Sequence, residues 1–190
     1  MSKRAFLWLL SSLQGRKLYR VVVRKVIGKR VCYHLATLDD TSDLARLYGY
    51  DRFSELENPI ETFTDQIKGL KDCGYFLIAR VGQQIAAATI LRWFPDEDAF
   101  YPDWWLFAML VRPRYQGAGI GAGLVRMAIE KATAEGGKRV NLLVFEKNTV
   151  AINLYRKLGF RPASIQGLEE KLIEEAKRGE QRRITMSKYL

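Results

Sequence analysis

The sequence predicts a domain of mixed α/β class (α+β), in which a central mixed sheet carries helices on both faces. The order of the predicted elements is the first observation: strands come first, and strand, helix, strand, helix and strand follow, without an internal repeat. The second is that residues 85–91 and 104–111 are apolar on both faces, which is typical of strands in the middle of a sheet. The length of 190 residues fits one domain with a substantial core.

The composition is that of an ordinary globular protein, with 48% hydrophobic and 27% charged residues. His34 is the single histidine, and Cys32 and Cys73 lack the spacing of metal ligands. A metal site and a Ser-His or Cys-His nucleophile are therefore not expected. No apolar stretch approaches the ~20 residues of a membrane span. Few cysteines and no recognisable signal peptide lead us to expect a cytoplasmic protein.

Most of the net charge of +10 belongs to an N-terminal extension, residues 1–30, which precedes the predicted domain at 31–190. Residues 1–38 contain no acidic side chain and nine basic ones, namely Lys3, Arg4, Arg16, Lys17, Arg20, Arg24, Lys25, Lys29 and Arg30. Apolar residues at helical spacing predict a short basic amphipathic helix, formed by Phe6, Leu9, Leu10 and Leu13.

This predicted helix has several possible uses. We favour docking on the domain or a homodimer contact over a peripheral contact with an anionic membrane. Nucleic-acid binding is not favoured either, because aromatic residues are not interleaved regularly with the basic ones.

Periodicity and turn residues predict the first elements, which are, in order, strands at 18–27 and 30–36, helices near 41–49 and 60–72, and strands at 74–81 and 85–93. Gly28-Lys29 suits a hairpin turn between the first two strands. Acidic and hydroxyl residues at 37–41 suit the start of the first helix. The second helix has apolar residues along one face: Ile60, Phe63, Ile67 and Leu70. Residues 49–59 and 94–103 are predicted loops.

The remaining predicted elements are, in order, a strand at 104–111, a helix that follows a glycine-rich turn, a strand at 140–145, a helix at 149–158, an extended piece at 160–162, a helix at 168–177 and a strand at 183–190. The first of these helices should end near Gly136-Gly137, and the next is followed by Gly159. An apolar stripe marks the first helix: Ile120, Leu124, Met127, Ala128 and Ala132.

The glycine-rich turn, residues 116–122, is the most informative segment, because backbone N–H groups at such a turn and at a helix start bind phosphate. A nucleotide-triphosphate loop would need Lys and Ser or Thr after Gly121, where Ala122 and Gly123 stand, so that class is excluded. A dinucleotide-binding turn is matched formally by Gly117, Gly119 and Ala122, but its first glycine should follow the strand directly.

Four glycines alternate along this segment, at 117, 119, 121 and 123. Each glycine near a helix start costs about 0.5–1 kcal/mol relative to alanine. Their repetition therefore favours close approach of a ligand to the backbone over a helix cap without a ligand.

The third interpretation of the turn is Gln/Arg-x-x-Gly-x-Gly/Ala, supplied by Gln116, Gly119 and Gly121. A second pattern, Asn-x-x-Ala-x-x-x-Tyr-x-x-x-Gly-Phe, runs from Asn148 to Phe160. Together they resemble the acetyl-CoA-binding signatures of the GNAT superfamily of N-acetyltransferases, and the resemblance covers about residues 31–190. It implies a mostly antiparallel mixed sheet that splays between the strands at 104–111 and 140–145. It also implies acetyl-CoA as co-substrate, bound in the splay, and no metal.

The resemblance implies roles for individual residues. Backbone groups of Met109, Leu110 and Val111 would pair with the pantetheine arm like an added strand. Asn148 would contact the cofactor or cap its own helix, and Tyr155 would protonate the departing thiolate. Backbone amides would hold the pyrophosphate at Gln116, Gly117, Ala118, Gly119, Ile120, Gly121 and Ala122. Basic side chains near the turn could add charge: Arg112, Arg114 and Lys157.

The implied reaction is acetyl transfer to a primary amine by direct attack in a ternary complex, with a backbone N–H of residues 109–111 polarising the carbonyl. The strand at 104–111 lacks the glutamate that other family members carry there, so the base is left open between Asp103, Glu146 and a water chain. Trp104 and Trp105 either line an acceptor pocket or pack in the core.

The acceptor, a small-molecule or protein amine, is not readable from the sequence. Two alternatives to catalysis remain. One is a non-catalytic CoA-binding or interaction module of the same fold. The other is nucleic-acid or membrane-surface binding that depends on the basic extension.

Overall fold

The computed structural model describes four parts of the chain, which are residues 30–49, 59–95, 103–165 and 167–190. Several predictions lie outside them: the amphipathic helix, the strand at 18–27 with its hairpin turn, and most of the loops at 49–59 and 94–103. The extension therefore stays a prediction.

Seven strands in the described residues form one sheet, in the order β1–β2–β3–β4–β5–β7–β6. Their bounds are β1 Val31–Leu35, β2 Gly74–Val81, β3 Gln84–Phe94, β4 Asp103–Val111, β5 Arg139–Phe145, β6 Arg161–Pro162 and β7 Arg183–Tyr189. All neighbouring strands are antiparallel except β4 and β5, which are parallel. The predicted mixed, mostly antiparallel sheet is confirmed.

Five α-helices accompany the sheet within the same residues, namely α1 Thr41–Tyr48, α2 Pro59–Gly69, α3 Ile120–Ala134, α4 Thr149–Lys157 and α5 Leu168–Lys177. Short 3₁₀ turns lie at Leu38–Asp40 and Pro113–Tyr115. Helix α2 ends before the predicted residue 72, where the α-helical pattern changes: the N–H of Lys71 donates to the carbonyl of Lys68, three residues back, at 3.2 Å.

The helices pack on both faces of the sheet, as predicted, and alternate residues of β2 show how the faces divide. Leu77 and Ala79 belong to a core that contains the apolar residues of α3 and α4. Phe76 and Ile78 belong to a second core with α1 and α2. Residues of α5 pack around Trp105 in a third, smaller cluster.

An ion pair fixes the start of α1 against β2. The carboxylate of Asp40 accepts a hydrogen bond from the backbone N–H of Thr37 at 2.8 Å and another from Arg80 Nη2 at 2.5 Å. Arg80 also binds Asp43, at 3.0 Å. Because this end of α1 is held by charge-assisted hydrogen bonds, the other end, at Tyr48, has a defined place over the sheet.

Candidate functional site

Strands β4 and β5 run side by side only at their beginnings. They pair through three residue pairs, Trp104 with Val140, Trp105 with Asn141 and Leu106 with Leu142, and no pairing between them follows in the described chain. The buried side chain of Asn141 supports the closed end, since it donates to the carbonyl of Trp104 at 3.3 Å and accepts from Ser187 Oγ at 2.6 Å. The predicted splay is therefore present and opens beyond Leu106.

Strand β4 carries a bulge where the splay opens. Ala88 pairs with Leu110 and Ile90 with Phe107, so β4 has one residue more than β3 between these pairs. Ala108, inside the bulge, is exposed and has a left-handed backbone with φ of 49°. A non-glycine residue adopts this conformation only at a cost, which the surroundings must offset.

Two side-chain hydroxyls bind consecutive carbonyls of the bulge. Thr89 Oγ1, from β3, donates to the carbonyl of Phe107 at 2.8 Å, and the phenol of Tyr48, from α1, donates to the carbonyl of Ala108 at 2.6 Å. Burial raises the pKa of Tyr48 well above its ordinary value, so its phenol stays protonated and remains a donor. Sequence reasoning missed this bulge, although a hydroxyl at Thr89 within an otherwise apolar run is a signal of it.

The glycine turn follows β4 after the 3₁₀ turn at Pro113–Tyr115. Gly117 and Gly119 have positive φ values of 80° and 85°, which glycine adopts without a steric penalty, and α3 begins at Ile120. A Cβ on Gly119 would meet no atom within 4 Å, so the turn is open there. The Gln116 side chain donates to the carbonyl of Val111 at 3.1 Å and closes the turn onto the end of β4.

Of the other two glycines of the alternating set, Gly123 has a different explanation from the predicted one, whereas Gly121 has only ordinary contacts. A Cβ on Gly123 would overlap the phenol of Tyr33, which reaches α3 from β1. Gly121 lies over β4 and α4, with Val111 Cγ2 at 3.4 Å and Leu154 Cδ2 at 3.6 Å from its missing Cβ. The argument that all four glycines indicate a ligand is thus wrong for Gly123, because the protein's own tyrosine fills that space.

Helix α4 brings Tyr155 to the open stretch of β4. The phenol lies 3.8 Å from Met109 Sδ, and its ring packs against Phe160 with centroids 5.7 Å apart. Tyr155 is 6% exposed, and burial raises its pKa to about 12. The helix is capped by Asn148, whose Oδ1 accepts from the N–H of Ala151 at 3.1 Å, so the capping role predicted for Asn148 is present.

The three predicted pantetheine contacts lie along this same stretch. Met109, Leu110 and Val111 are half-buried, and β4 has no strand on its β5 side at these positions within the described residues. Their main chain can therefore accept a further partner. The structure brings together Tyr155, these residues and the glycine turn.

The two carboxylates considered as bases lie apart from one another. Asp103 is at the closed end of the splay, where its carboxylate accepts from the N–H groups of Trp104 at 2.8 Å and of Lys138 and Arg139 at 3.1 Å each. Glu146 follows β5 at the open end and lies 3.7 Å from Arg182. These bonds give Asp103 a structural task far from Tyr155.

The two tryptophans are both buried, and the described structure shows packing partners for each. Trp105 is fully buried among residues of α5, and Trp104 is 5% exposed and stacks on Tyr75 with centroids 6.0 Å apart. Near the turn, Arg112 Nε donates to the carbonyl of Ile85 at 2.8 Å, and the guanidinium of Arg114 lies over the Tyr115 ring.

Metal-binding clusters and membrane-spanning helices are both absent from the described parts of the chain. No group of three or more His, Cys, Asp or Glu side chains there could hold a metal ion. None of the helices there is both long and apolar enough to cross a membrane.

Comparison with known proteins finds a matching family and structures of similar fold. The family profile described as "Acetyltransferase (GNAT) family" matches residues 38–160. The fold is similar to a ribosomal-protein-alanine N-acetyltransferase from Brucella melitensis, with a TM-score of 0.66, 20% identity, and coverage of 84% of this chain and 99% of that one.

Two further structures of the same fold were solved with a cofactor. The PaiA N-acetyltransferase of Thermoplasma acidophilum, in complex with coenzyme A, has a TM-score of 0.62 and 16% identity over 84% of this chain and 99% of that one. A putative acetyltransferase of Salmonella typhimurium, YncA, with acetyl-CoA, has a TM-score of 0.66 and 14% identity over 85% and 94%. At these identities the likeness shows the fold.

Proposed function

The chain belongs to the acetyltransferase (GNAT) family, and from this premise we propose that it transfers the acetyl group of acetyl-CoA to a primary amine by direct attack in a ternary complex. The family supports acetyl transfer in general. The proposal adds the nature of the acceptor, the cofactor and the residues of the site.

The position of Tyr155 is the observation that carries the proposal. Its phenol faces β4 at Met109, on the stretch where β4 lacks a neighbour on the β5 side. Gly121, in the first turn of α3, lies close by, since Met109 Sδ is 3.8 Å from its missing Cβ. A proton donor, an unpaired strand edge and a helix N-terminus therefore surround one gap.

The gap has the chemistry that acetyl-CoA requires. Main-chain groups of Met109, Leu110 and Val111 would bind the pantetheine amides as a neighbouring strand does. Amides of the glycine turn, residues 116–122, would bind the pyrophosphate at the positive end of the α3 dipole. The open space at Gly119 leaves the backbone accessible to such an anion.

The proton balance of the reaction involves Tyr155 and solvent. The neutral amine attacks the thioester carbon, a C–N bond forms and the C–S bond breaks. The leaving thiolate takes the phenol proton of Tyr155, and the new amide nitrogen loses its extra proton to water. The phenolate then recovers a proton from solvent. Solvent can reach this region, because Ala108 in the bulge is exposed.

Proton transfer from a phenol to a thiolate is unfavourable by pKa alone, since a thiol ordinarily has a pKa of about 8.5 and burial raises that of Tyr155 to about 12. The same burial destabilises a thiolate formed in the gap. We therefore expect proton transfer to accompany breaking of the C–S bond rather than to follow it.

The test is an assay of the full chain with acetyl-CoA and a panel of amines, which includes small polyamines, amino acids and peptides with free N-termini or lysines. The release of free thiol is measured, and the acetylated product is identified by mass spectrometry. We expect at least one amine to give thiol and acetyl-amine in equal amounts.

Acetyl-CoA binding is measured in parallel by thermal shift. Stabilisation without thiol release across the panel would favour a non-catalytic CoA-binding module. Salt-sensitive nucleic-acid binding that is lost on deletion of residues 1–30, without any acetyl-CoA effect, would favour the binding role of the extension.

A further inference from the structure

The peptide between Ala108 and Met109 has an orientation set by Tyr48. The carbonyl of Ala108 accepts a hydrogen bond from the Tyr48 phenol at 2.6 Å. Tyr48 belongs to the core formed with α1 and α2. The Ala108 carbonyl therefore points to that face of the sheet, out of the plane in which β4 pairs with its neighbours.

A trans peptide carries its C=O and N–H in opposite directions, and no peptide bond in the described residues is cis. The N–H of Met109 must then point to the other face of the sheet, where α3 and α4 pack. That face contains Tyr155, whose phenol lies beside the Met109 side chain. The bulge thus presents one main-chain N–H toward the proton donor of the proposed reaction.

We propose that Tyr48 and Thr89 are positioning residues, which hold the β4 bulge so that the Met109 N–H donates to the thioester carbonyl of acetyl-CoA. This inference rests on the proposed function. Thr89 fixes the carbonyl of Phe107 and Tyr48 fixes that of Ala108, so the two hydroxyls hold consecutive peptides from two different elements. Neither touches the substrate; both act through the backbone.

The left-handed backbone of Ala108 makes these hydroxyls necessary. Alanine is disfavoured at a φ of 49°. When the Ala108 carbonyl loses the hydrogen bond from Tyr48, the peptide between Ala108 and Met109 is therefore expected to return toward the conformation of a regular strand. In a regular strand the same N–H would lie in the plane of the sheet. We therefore expect the hydroxyl of Tyr48 to affect how strongly the thioester carbonyl of acetyl-CoA is polarised. It should have little effect on the binding of acetyl-CoA itself.

The experiment compares the full-length wild-type protein with Tyr48→Phe. Phenylalanine keeps the ring that stacks on Phe63 with centroids 5.3 Å apart, so the core is retained. The main readout is the infrared band of the thioester carbonyl of acetyl-CoA labelled with ¹³C at that carbon, measured bound to each protein. A hydrogen bond from Met109 N–H lowers the frequency of this band relative to free acetyl-CoA.

We expect the band of bound acetyl-CoA to be lowered in the wild type and to return toward the free value in Tyr48→Phe. With an accepted amine, kcat should fall about tenfold or more, since loss of one oxyanion donor costs on the order of 10²–10³ and here the donor is misdirected rather than removed. The KM for acetyl-CoA should stay within about twofold, because the other main-chain contacts persist.

Two sets of variants separate positioning from folding. Tyr75→Phe removes a phenol that binds Glu135 at the other end of the sheet, and it should leave the band and kcat unchanged. Thr89→Val should shift the band as Tyr48→Phe does, whereas Thr89→Ser keeps the hydroxyl and should restore it.

An unshifted band in Tyr48→Phe, with acetyl-CoA bound as in the wild type, would overturn the role of Tyr48 and leave the proposed function intact. If the wild type neither binds acetyl-CoA nor releases thiol with any amine, the proposed function fails and this inference fails with it.

Discussion

The phenol oxygen of Tyr155 lies 3.8 Å from the sulfur of Met109, which joins α4 to the open stretch of β4. A thioether is a weak hydrogen-bond acceptor, and the phenol makes no other hydrogen bond within the described residues. Its proton is consequently held loosely beside the gap. This contact relates the proposed acid to the strand that would hold the thioester.

The first prediction concerns the phenol proton. Tyr155→Phe should lower kcat by about 10²–10⁴, the usual contribution of a positioned general acid, because the thiolate then leaves unprotonated. Acetyl-CoA affinity and the melting temperature should change little, since the ring still packs on Phe160. Steady-state kinetics and calorimetry measure these quantities. Unchanged turnover would remove Tyr155 as the acid.

The second prediction concerns pH. Burial raises the pKa of Tyr155 from 10.0 to about 12, so the neutral phenol is favoured in the folded protein. The contribution of Tyr155 to the free energy of unfolding is complete below the pKa of the phenol in the unfolded chain. It is lost as the pH rises through the pKa of the phenol in the folded protein. At pH values high enough for the acceptor amine to be neutral, we expect kcat to stay constant up to about pH 10. A loss of kcat centred near neutral pH, with the protein folded, would contradict this.

The third prediction assigns Asp103 to stability. Asp103→Ala removes the acceptor of three backbone N–H groups and leaves a left-handed backbone, with φ of 68°, on an alanine. We expect a loss of about 2–3 kcal/mol in the free energy of unfolding, measured in urea. Asp103→Asn keeps an acceptor oxygen and tolerates this φ, so its loss should be smaller. A normal unfolding curve with abolished turnover would instead indicate a base.

The fourth prediction concerns Glu146, whose half-exposed carboxylate lies 3.7 Å from Arg182. Because this pair is on the surface, Glu146→Gln should change stability by less than about 1 kcal/mol. We expect kcat to change less than about threefold if water takes the amine proton, whereas a positioned base contributes about 10²-fold or more. Arg182→Gln is the matched control. A large fall in kcat for Glu146→Gln alone, at unchanged melting temperature, would identify Glu146 as the base.

The fifth prediction separates two glycines of α3. Gly123→Ala should destabilise the protein by about 1–3 kcal/mol, because its methyl group overlaps Tyr33. Gly121→Ala meets only ordinary contacts, of 3.4 Å or more, and should be nearly neutral or slightly stabilising. A double-mutant cycle with Tyr33→Ala measures the coupling. Additive free energies for Gly123→Ala and Tyr33→Ala would show that the overlap is relieved in another way.

The order and type of the elements could be predicted from sequence because they depend on local periodicity. Helix α5 occupies residues 168–177, as its apolar spacing predicts, and β3 is buried on both faces. The splay followed from a family resemblance, and its location between β4 and β5 is confirmed. These features need only the neighbouring residues or a recognised motif.

The bulge and the role of Gly123 could not be predicted in the same way, because both depend on residues distant in sequence. The bulge at Ala108 requires the register of β3 and a hydroxyl from α1, which periodicity along β4 does not report. Gly123 is explained by Tyr33, which lies far away in the chain and meets it only after folding.

The short ladder between β4 and β5 also affects how the protein folds. Strands β2, β3 and β4 form a meander of local contacts, whereas α3 separates β5 from β4 in the chain. Non-local pairings are generally slow to form, since loop closure must come before the contacts that stabilise it. The site therefore lies on the seam between β4 and β5, where the pairing is non-local. A marginally stable variant would open along this seam first and lose its binding gap while most of the sheet is still intact.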